Sequence, residues 1–299
     1  MVKINDKKCA PGVKYQDGSC FRKQTLIEMA QIYNSKNTSN KINIDLNQDK
    51  KYLVEQMNDV FNSKCLDQLC WVNQIKLNGI RKEEILKGTF RPFGPDGKYD
   101  WLSTTDINDV IEQYQKVHED FLYLGTVPYD FEEIPILDIG NINFNEIQGR
   151  GKSRIGMVIN LDESHQSGSH WVGLYTDLNK NQVYFFDSVG KPPGRKIKKF
   201  INKITKYIYR KKYNEILPIT KMIKSYKGGN YNSYLQKLSD FDIKYNHIQH
   251  QQKNTECGVY STNFIIRLLE GEDFNNIITN IIRDDEMNKY RKEIFINVN

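Results

Sequence analysis

The segment Thr255-Glu256-Cys257-Gly258-Val259-Tyr260 runs into the apolar stretch Phe264-Ile265-Ile266-Arg267-Leu268-Leu269, and any fold of this chain has to bury that stretch. The pattern predicts a core helix with a thiol at its N-terminus. At such a place the unpaired backbone N–H groups and the positive end of the helix macrodipole favour the thiolate. Gly258 follows at once and leaves the approach to Cys257 free of a side chain, which makes it a candidate substrate-binding position. Burial alone also explains a cysteine that opens a core helix, because cysteine is among the most buried residue types.

A nucleophilic thiol needs a base, and the base needs an orienting acceptor. In Ser169-His170-Trp171-Val172-Gly173-Leu174-Tyr175, apolar side chains alternate with small ones as on a half-buried strand, with His170 at its mouth. After the polar turn Asp177-Leu178-Asn179-Lys180-Asn181, a second strand reads Gln182-Val183-Tyr184-Phe185-Phe186 and ends at Asp187-Ser188. In an antiparallel hairpin the start of one strand and the end of the next share an edge, so His170 and Asp187 become neighbours. Asp187 then accepts one ring N–H and turns the other ring nitrogen toward Cys257. Gln251, six residues before Cys257, is the candidate oxyanion donor together with the Cys257 backbone N–H, and Gln252 competes for that role.

The order His170-Trp171, Phe186-Asp187-Ser188, Gln251, Cys257-Gly258 resembles the superfamily of cysteine peptidases (clan CE) that contains the SUMO-specific proteases and the adenovirus protease. Asp100-Trp101-Leu102-Ser103-Thr104-Thr105-Asp106-Ile107 is similar to the segment that opens the catalytic core in those enzymes. Within the superfamily the likeness runs to polyprotein-processing proteases of large nucleocytoplasmic DNA viruses such as African swine fever virus. Lys8-Cys9-Ala10-Pro11-Gly12 with Ser19-Cys20 resembles an extension of giant-virus members, and the Asn-, Lys- and Ile-rich composition suits an AT-rich genome.

The resemblance implies Cys257 as nucleophile, His170 as general base and later acid, Asp187 as orienter and Gln251 as oxyanion donor. It implies Trp171 in the wall of a narrow channel that passes a Gly-Gly segment. Relatives carry an asparagine and an aspartate between the glutamine and the cysteine at slightly different spacing, where this chain has Asn254 and Glu256; the choice between Gln251 and Gln252 therefore stays open. The implied fold is α+β, a papain-like or adenain-like core of a central mixed sheet flanked by helices. The implied activity is that of an endopeptidase cutting after Gly-Gly-type sequences, with viral structural polyproteins as substrates during virion maturation. The expected location is the host cytoplasm (viral factory) and the virion, and no metal or organic cofactor is required. A SUMO or ubiquitin-like deconjugating enzyme would use the same residues. A catalytically silent interaction module on a protease fold is the alternative of a different class, and an acetyltransferase on a related core is a third.

Composition fits a folded enzyme: of 299 residues, 38% are hydrophobic and 12% aromatic, enough to build a substantial core and too many for a disordered chain. No apolar run reaches the roughly 18 to 20 residues that span a bilayer, and Met1-Val2-Lys3-Ile4-Asn5-Asp6 lacks the apolar core of a signal peptide. The five cysteines are odd in number, and Cys257 must stay reduced to act. Cys9, Cys20, Cys65 and Cys70 lack Cys-x2-Cys spacing, so they read as ordinary buried or surface thiols and not as a zinc site. The net charge of +6 is concentrated in Lys191 to Lys203 and Arg210-Lys211-Lys212 around Ile197, Phe200, Ile201 and Ile204. That pattern predicts an amphipathic helix with a solvated basic face, and weak nucleic-acid contact is its sharper reading.

Residues 23–87 carry helical patterns without a strand signature, Gln24 to Tyr33 and Lys50 to Phe61 among them, and residues 1–90 read as a helical domain with a substrate-binding or regulatory role. Arg91-Pro92-Phe93-Gly94-Pro95-Asp96-Gly97 is dense in turn formers and sets the boundary with a catalytic part, 91–299. There the patterns predict a helix over Asp106 to Asp120 and a helix from Arg195. Strands are expected near Phe121 to Thr126, Gly156 to Leu161, Trp171 to Tyr175, Val183 to Phe186 and Tyr245-Asn246-His247-Ile248.

Overall fold

The computed structural model describes residues 5–75, 77–223, 228–230 and 240–298, so the start of the N-terminal segment read for a signal peptide lies outside the described residues. The chain forms two units, Met1–Asp96 with Arg291–Asn299, and Gly97–Tyr290. In the first, helices α1 (Lys23–Lys36), α2 (Lys50–Phe61), α3 (Gln68–Gln74) and α4 (Gly79–Thr89) surround a core that includes Phe21, Leu26, Leu53, Phe61 and Trp71. Asp49, Asp67 and Asn78 cap the last three of these helices through their side chains.

Two findings in this unit depart from expectation. The C-terminal segment returns to it: Ile296 is fully buried in its core, the Ile296 N–H donates to the Pro92 carbonyl (2.9 Å), and Asn297 pairs with both polar backbone groups of Gly94. Hydrophobic periodicity does not encode such a return. The four N-terminal cysteines are not thiols but form two disulfides, Cys9–Cys20 and Cys65–Cys70, leaving Cys257 as the free cysteine. Spacing cannot reveal these pairs, because a disulfide needs close Cα atoms with suitable side-chain directions, which the fold supplies.

The second unit is built on a mixed five-stranded sheet in sequential order: β1 (Phe121–Val127), β2 (Arg154–Asn160), β3 (Trp171–Asp177), β4 (Gln182–Phe186) and β5 (Asp242–Tyr245). The central pairs β2–β3 and β3–β4 are antiparallel, while β1–β2 and β4–β5 are parallel. Alternation along β2 and β3 divides the core. Ile155, Met157, Val172 and Leu174 pack with Ile197, Phe200, Ile201 and Ile204 of α7 (Arg195–Tyr213). Gly156 and Gly173 face the other way, where the Phe121 ring occupies the space that a Cβ at Gly156 would need and Phe264 of α8 (Cys257–Leu269) the space at Gly173. A side chain at Gly173 would lie 2.6 Å from the Phe264 ring, so only glycine lets the helix seat on the strand. The remaining helices are α5 (Thr104–Val117), α6 (Phe144–Gly149), α9 (Phe274–Thr279) and α10 (Asp284–Ile294).

Three boundaries move for local reasons. α5 starts ahead of the expected Asp106 because Ser103 and Asp106 close a reciprocal capping box. β2 starts at Arg154, which pairs with Asp177 at the far end of β3. The last strand ends at Tyr245, not Ile248, because Asn246 turns the chain: its Oδ1 accepts the Ile248 N–H (2.9 Å) and its Nδ2 donates to the Asp187 carbonyl (2.8 Å).

α7 carries the predicted basic face, partly neutralised by Glu133 and Glu163 on Lys196, Glu132 on Lys199 and Lys203, and Asp240 on Lys212. Among the described residues no helix is long and apolar enough to cross a membrane. The cysteine pairing has a direct check by intact mass. Iodoacetamide should add one group to the native protein, on Cys257, whereas prior unfolding and reduction should expose all five cysteines. More than one label on the native, unreduced chain would contradict the pairing.

Candidate active site

Cys257 is the first residue of α8, and the N-cap residue before it, Glu256, makes no side-chain cap. The first-turn N–H groups are therefore left without that partner, at the positive end of a thirteen-residue helix whose residues are all buried except Arg267. Cys257 itself is 2% exposed.

His170 immediately precedes β3, and its carbonyl accepts the Leu161 N–H (2.9 Å), which carries the β2–β3 ladder one step past Trp171. Asp187 immediately follows β4, whose last residue, Phe186, pairs with Gly173. The hairpin thus delivers both side chains to one edge. His170 Nε2–H donates to Asp187 Oδ1 at 2.7 Å, and the Val189 N–H (3.0 Å) supports the same oxygen. Asp187 is 2% exposed, so this bond forms away from bulk water. Cys257 also favours the charged ring, and with Nε2 engaged by Asp187 the nitrogen left for the thiol is Nδ1.

Burial by itself disfavours the imidazolium, but the hydrogen bonds and charges of Asp187 and Cys257 outweigh it and lift the His170 pKa from 6.5 to about 9. The ring therefore carries a proton at neutral pH. The Asp187 interaction with charged His170 stabilises the fold fully below about pH 6.5 and is lost as pH rises through about 9.

Gln251 is 3% exposed and Gln252 is exposed. The Gln251 amide is oriented from both ends: Ser188 Oγ–H donates to Oε1 (2.6 Å), and Nε2 donates to the Lys253 carbonyl (2.5 Å). Its backbone N–H donates to the Ser188 carbonyl (2.9 Å), which ties the loop to the residue after Asp187. The Gln252 N–H instead meets Asp284.

Trp171 is nearly buried and donates its indole N–H to the Leu102 carbonyl (3.0 Å). It lines a cleft of about 580 Å³ with Trp101, Leu102, Thr126, Asn160 and Gly168. Gly258 does not open a free approach, as its place after Cys257 suggested. It is buried, and a Cβ there would lie 3.0 Å from Leu102 Cβ and 3.2 Å from Trp171 Cδ1, so its missing side chain makes room for Trp171.

Ser188, Asn246, Leu102, Asp284 and Asn288 hold site residues by hydrogen bonds, and sequence pattern assigns none of them that role. Ser188 adjoins Asp187 in the chain, whereas Asn246, Asp284 and Asn288 are distant from the residues they hold and carry no local signal. Among the described residues no group of three or more His, Cys, Asp or Glu is placed to hold a metal ion.

The arrangement is chemically a thiol, an imidazole and a buried carboxylate in series, with an oriented amide on the adjoining loop. The model of the Ulp1 protease family, C-terminal catalytic domain, matches residues 151–299. A protein of Acanthamoeba polyphaga mimivirus, named as a thiol protease, is 34% identical over 298 residues, covering 94% of this chain and 90% of that protein. The chain belongs to the Ulp1 protease family. The SUMO-1 cysteine protease of African swine fever virus is 22% identical over 231 residues, covering 73% of this chain and 76% of that one. The crystal structure of the African swine fever virus protease shares the fold, with a TM-score of 0.63 at 19% identity over 98% of this chain and 97% of that chain. This Ulp1-family protein is a cysteine-type peptidase of α+β fold, with protease relatives in two viruses.

The ring titration of this Ulp1-family protease can be followed by NMR of His170. It is expected to titrate near pH 9, and Asp187→Asn should move the midpoint down toward 6.5, because the amide no longer favours the charged ring. A wild-type midpoint below 7 would show that burial, not Asp187 and Cys257, controls the ring.

Proposed function

We propose that this protease is an endopeptidase in which Cys257 attacks, His170 moves the proton, Asp187 orients His170 and Gln251 stabilises the oxyanion. The observation that carries this reading is the His170 ring bonded to buried Asp187 and favoured in its charged form by Cys257, the first residue of α8. The Cys257 thiolate adds to the scissile carbonyl carbon, and the carbonyl π electrons move to its oxygen, where the Gln251 amide and the Cys257 N–H receive the charge. The C–N bond then breaks as His170 gives its proton to the leaving amine. Water next loses a proton to His170, attacks the thioester and releases Cys257 with the acid product.

Substrates are proteins cut after Gly-Gly-type sequences. Support comes from the close packing of Trp171, Leu102 and Gly258 next to the nucleophile, which favours a substrate backbone without side chains. The proposed targets are viral structural polyproteins cut during virion maturation, in the host cytoplasm and the virion. The second reading is a deconjugase, favoured by the name of the African swine fever virus relative, a SUMO-1 protease. Exposed Arg195, Lys206 and Arg210 on α7 support a weak nucleic-acid contact. The N-terminal unit is proposed to engage long substrates away from the chemistry. Deleting residues 1–90 would strip Ile296 of its core, so that role is best read in the full-length chain by cross-linking to bound substrate.

Cys257→Ser and His170→Ala are each expected to abolish cleavage of a Gly-Gly-X peptide with the fold retained, and Asp187→Asn to slow it less severely. Full activity of Cys257→Ser would falsify the assignment. Mass-spectrometric mapping of cut sites separates the substrate readings. Polyprotein cleavage after Gly-Gly with SUMO conjugates left intact supports the first, and the reverse supports the second.

A further inference from the structure

Five residues separate Gln251 from Cys257, and the first three, Gln252, Lys253 and Asn254, are exposed. A loop of this kind holds its shape only if something outside it takes its backbone groups. The buried carboxylate of Asp284, at the start of α10, does so: Oδ2 accepts the Gln252 N–H at 2.8 Å and the Lys253 N–H at 3.2 Å. We infer that Asp284 is a positioning residue for the oxyanion donor, acting through the Lys253 peptide on the Gln251 amide; the inference rests on the role proposed for Gln251.

The path is short. Asp284 fixes the Lys253 N–H, and the Lys253 carbonyl takes one hydrogen of Gln251 Nε2 at 2.5 Å. Ser188 Oγ–H on Oε1 prevents the amide from flipping, so the second Nε2 hydrogen has a set direction and no partner within this network. One turn further along α10, Asn288 secures the other end of the loop. Its Nδ2 donates to Glu256 Oε1 at 2.9 Å and to the Lys98 carbonyl at 2.7 Å, and Glu256 is the residue before Cys257. Asp284 and Asn288 are spaced i, i+4 and share a face of the helix, so one rigid element sets both ends of the segment joining oxyanion donor to nucleophile. Asp284 Oδ1 is buried without a hydrogen-bond partner. An acceptor left unsatisfied costs stability, which marks a carboxylate kept for where it points.

The test is a double-mutant cycle on the full-length protease with a Gly-Gly-X peptide. Gln251→Ala should lower kcat by about 10²- to 10³-fold. Asp284→Asn, which keeps the shape and loses the charge, should lower kcat about tenfold with KM unchanged, and Asp284→Ala should lower it further. The double variant Gln251→Ala/Asp284→Asn should be no slower than Gln251→Ala alone, because the two act as one unit. Cys257 alkylation should proceed at the wild-type rate in Asp284→Asn, and this isosteric variant carries the test if Asp284→Ala fails to fold. Multiplicative losses in the double variant, an effect confined to KM, or wild-type kcat in Asp284→Asn would overturn the positioning role while Gln251 stands. Wild-type kcat in Gln251→Ala would overturn the oxyanion assignment itself, and the inference with it.

Discussion

Seating α8 on β3 is the contact on which the catalytic unit depends. Phe264 enters the space left by Gly173, stacks on Phe186 with ring centroids 5.1 Å apart, and meets Phe274 edge-on at 6.2 Å. Each large side chain buried this way contributes about 1.5–3 kcal/mol, so the helix cannot slide without losing several such terms. The same contact fixes where α8 begins relative to the β3–β4 hairpin. Cys257 sits at the helix start, His170 just before β3 and Asp187 just after β4, so the packing that builds the core also sets the distances between the three groups.

Electrostatics at that edge is a contest that burial does not win. Removing His170 from water favours the neutral ring, yet the hydrogen bond to Asp187 and the influence of Asp187 and Cys257 hold the charged form up to about pH 9. Because Asp187 is almost wholly buried and its oxygen is also supported by the Val189 N–H, the carboxylate has little freedom to turn away. The Asp187 carbonyl is held in turn by Asn246, which ends β5, so the edge strand of the sheet braces the acceptor from behind.

The N-terminal unit is stabilised by different means. Two disulfides tie its loops, and the C-terminal segment closes its core through Ile296 and Asn297. Four of the five cysteines are thereby withdrawn from thiol chemistry, and the remaining one, Cys257, opens α8. Reactivity is thus confined to one sulfur by covalent pairing of the rest.

Local chemistry made much of this legible in the sequence. The hairpin that brings His170 beside Asp187 follows from period-two alternation and a polar turn, and the buried helix opening at Cys257 follows from an apolar run after a Cys-Gly pair. These are short-range patterns, and the physics that produces them acts within a few residues. Only the tertiary structure decided what depends on long-range contact. It showed Gln251 buried and Gln252 exposed, Gly258 small because Trp171 and Leu102 lie against it, Cys9 bonded to Cys20, and Ile296 returned to the N-terminal core. Asp284 and Asn288 reach the loop before Cys257 from about 30 residues downstream, a separation over which side-chain patterning carries no information, since the loop-closure cost of bringing them together is offset by packing and not by local preference.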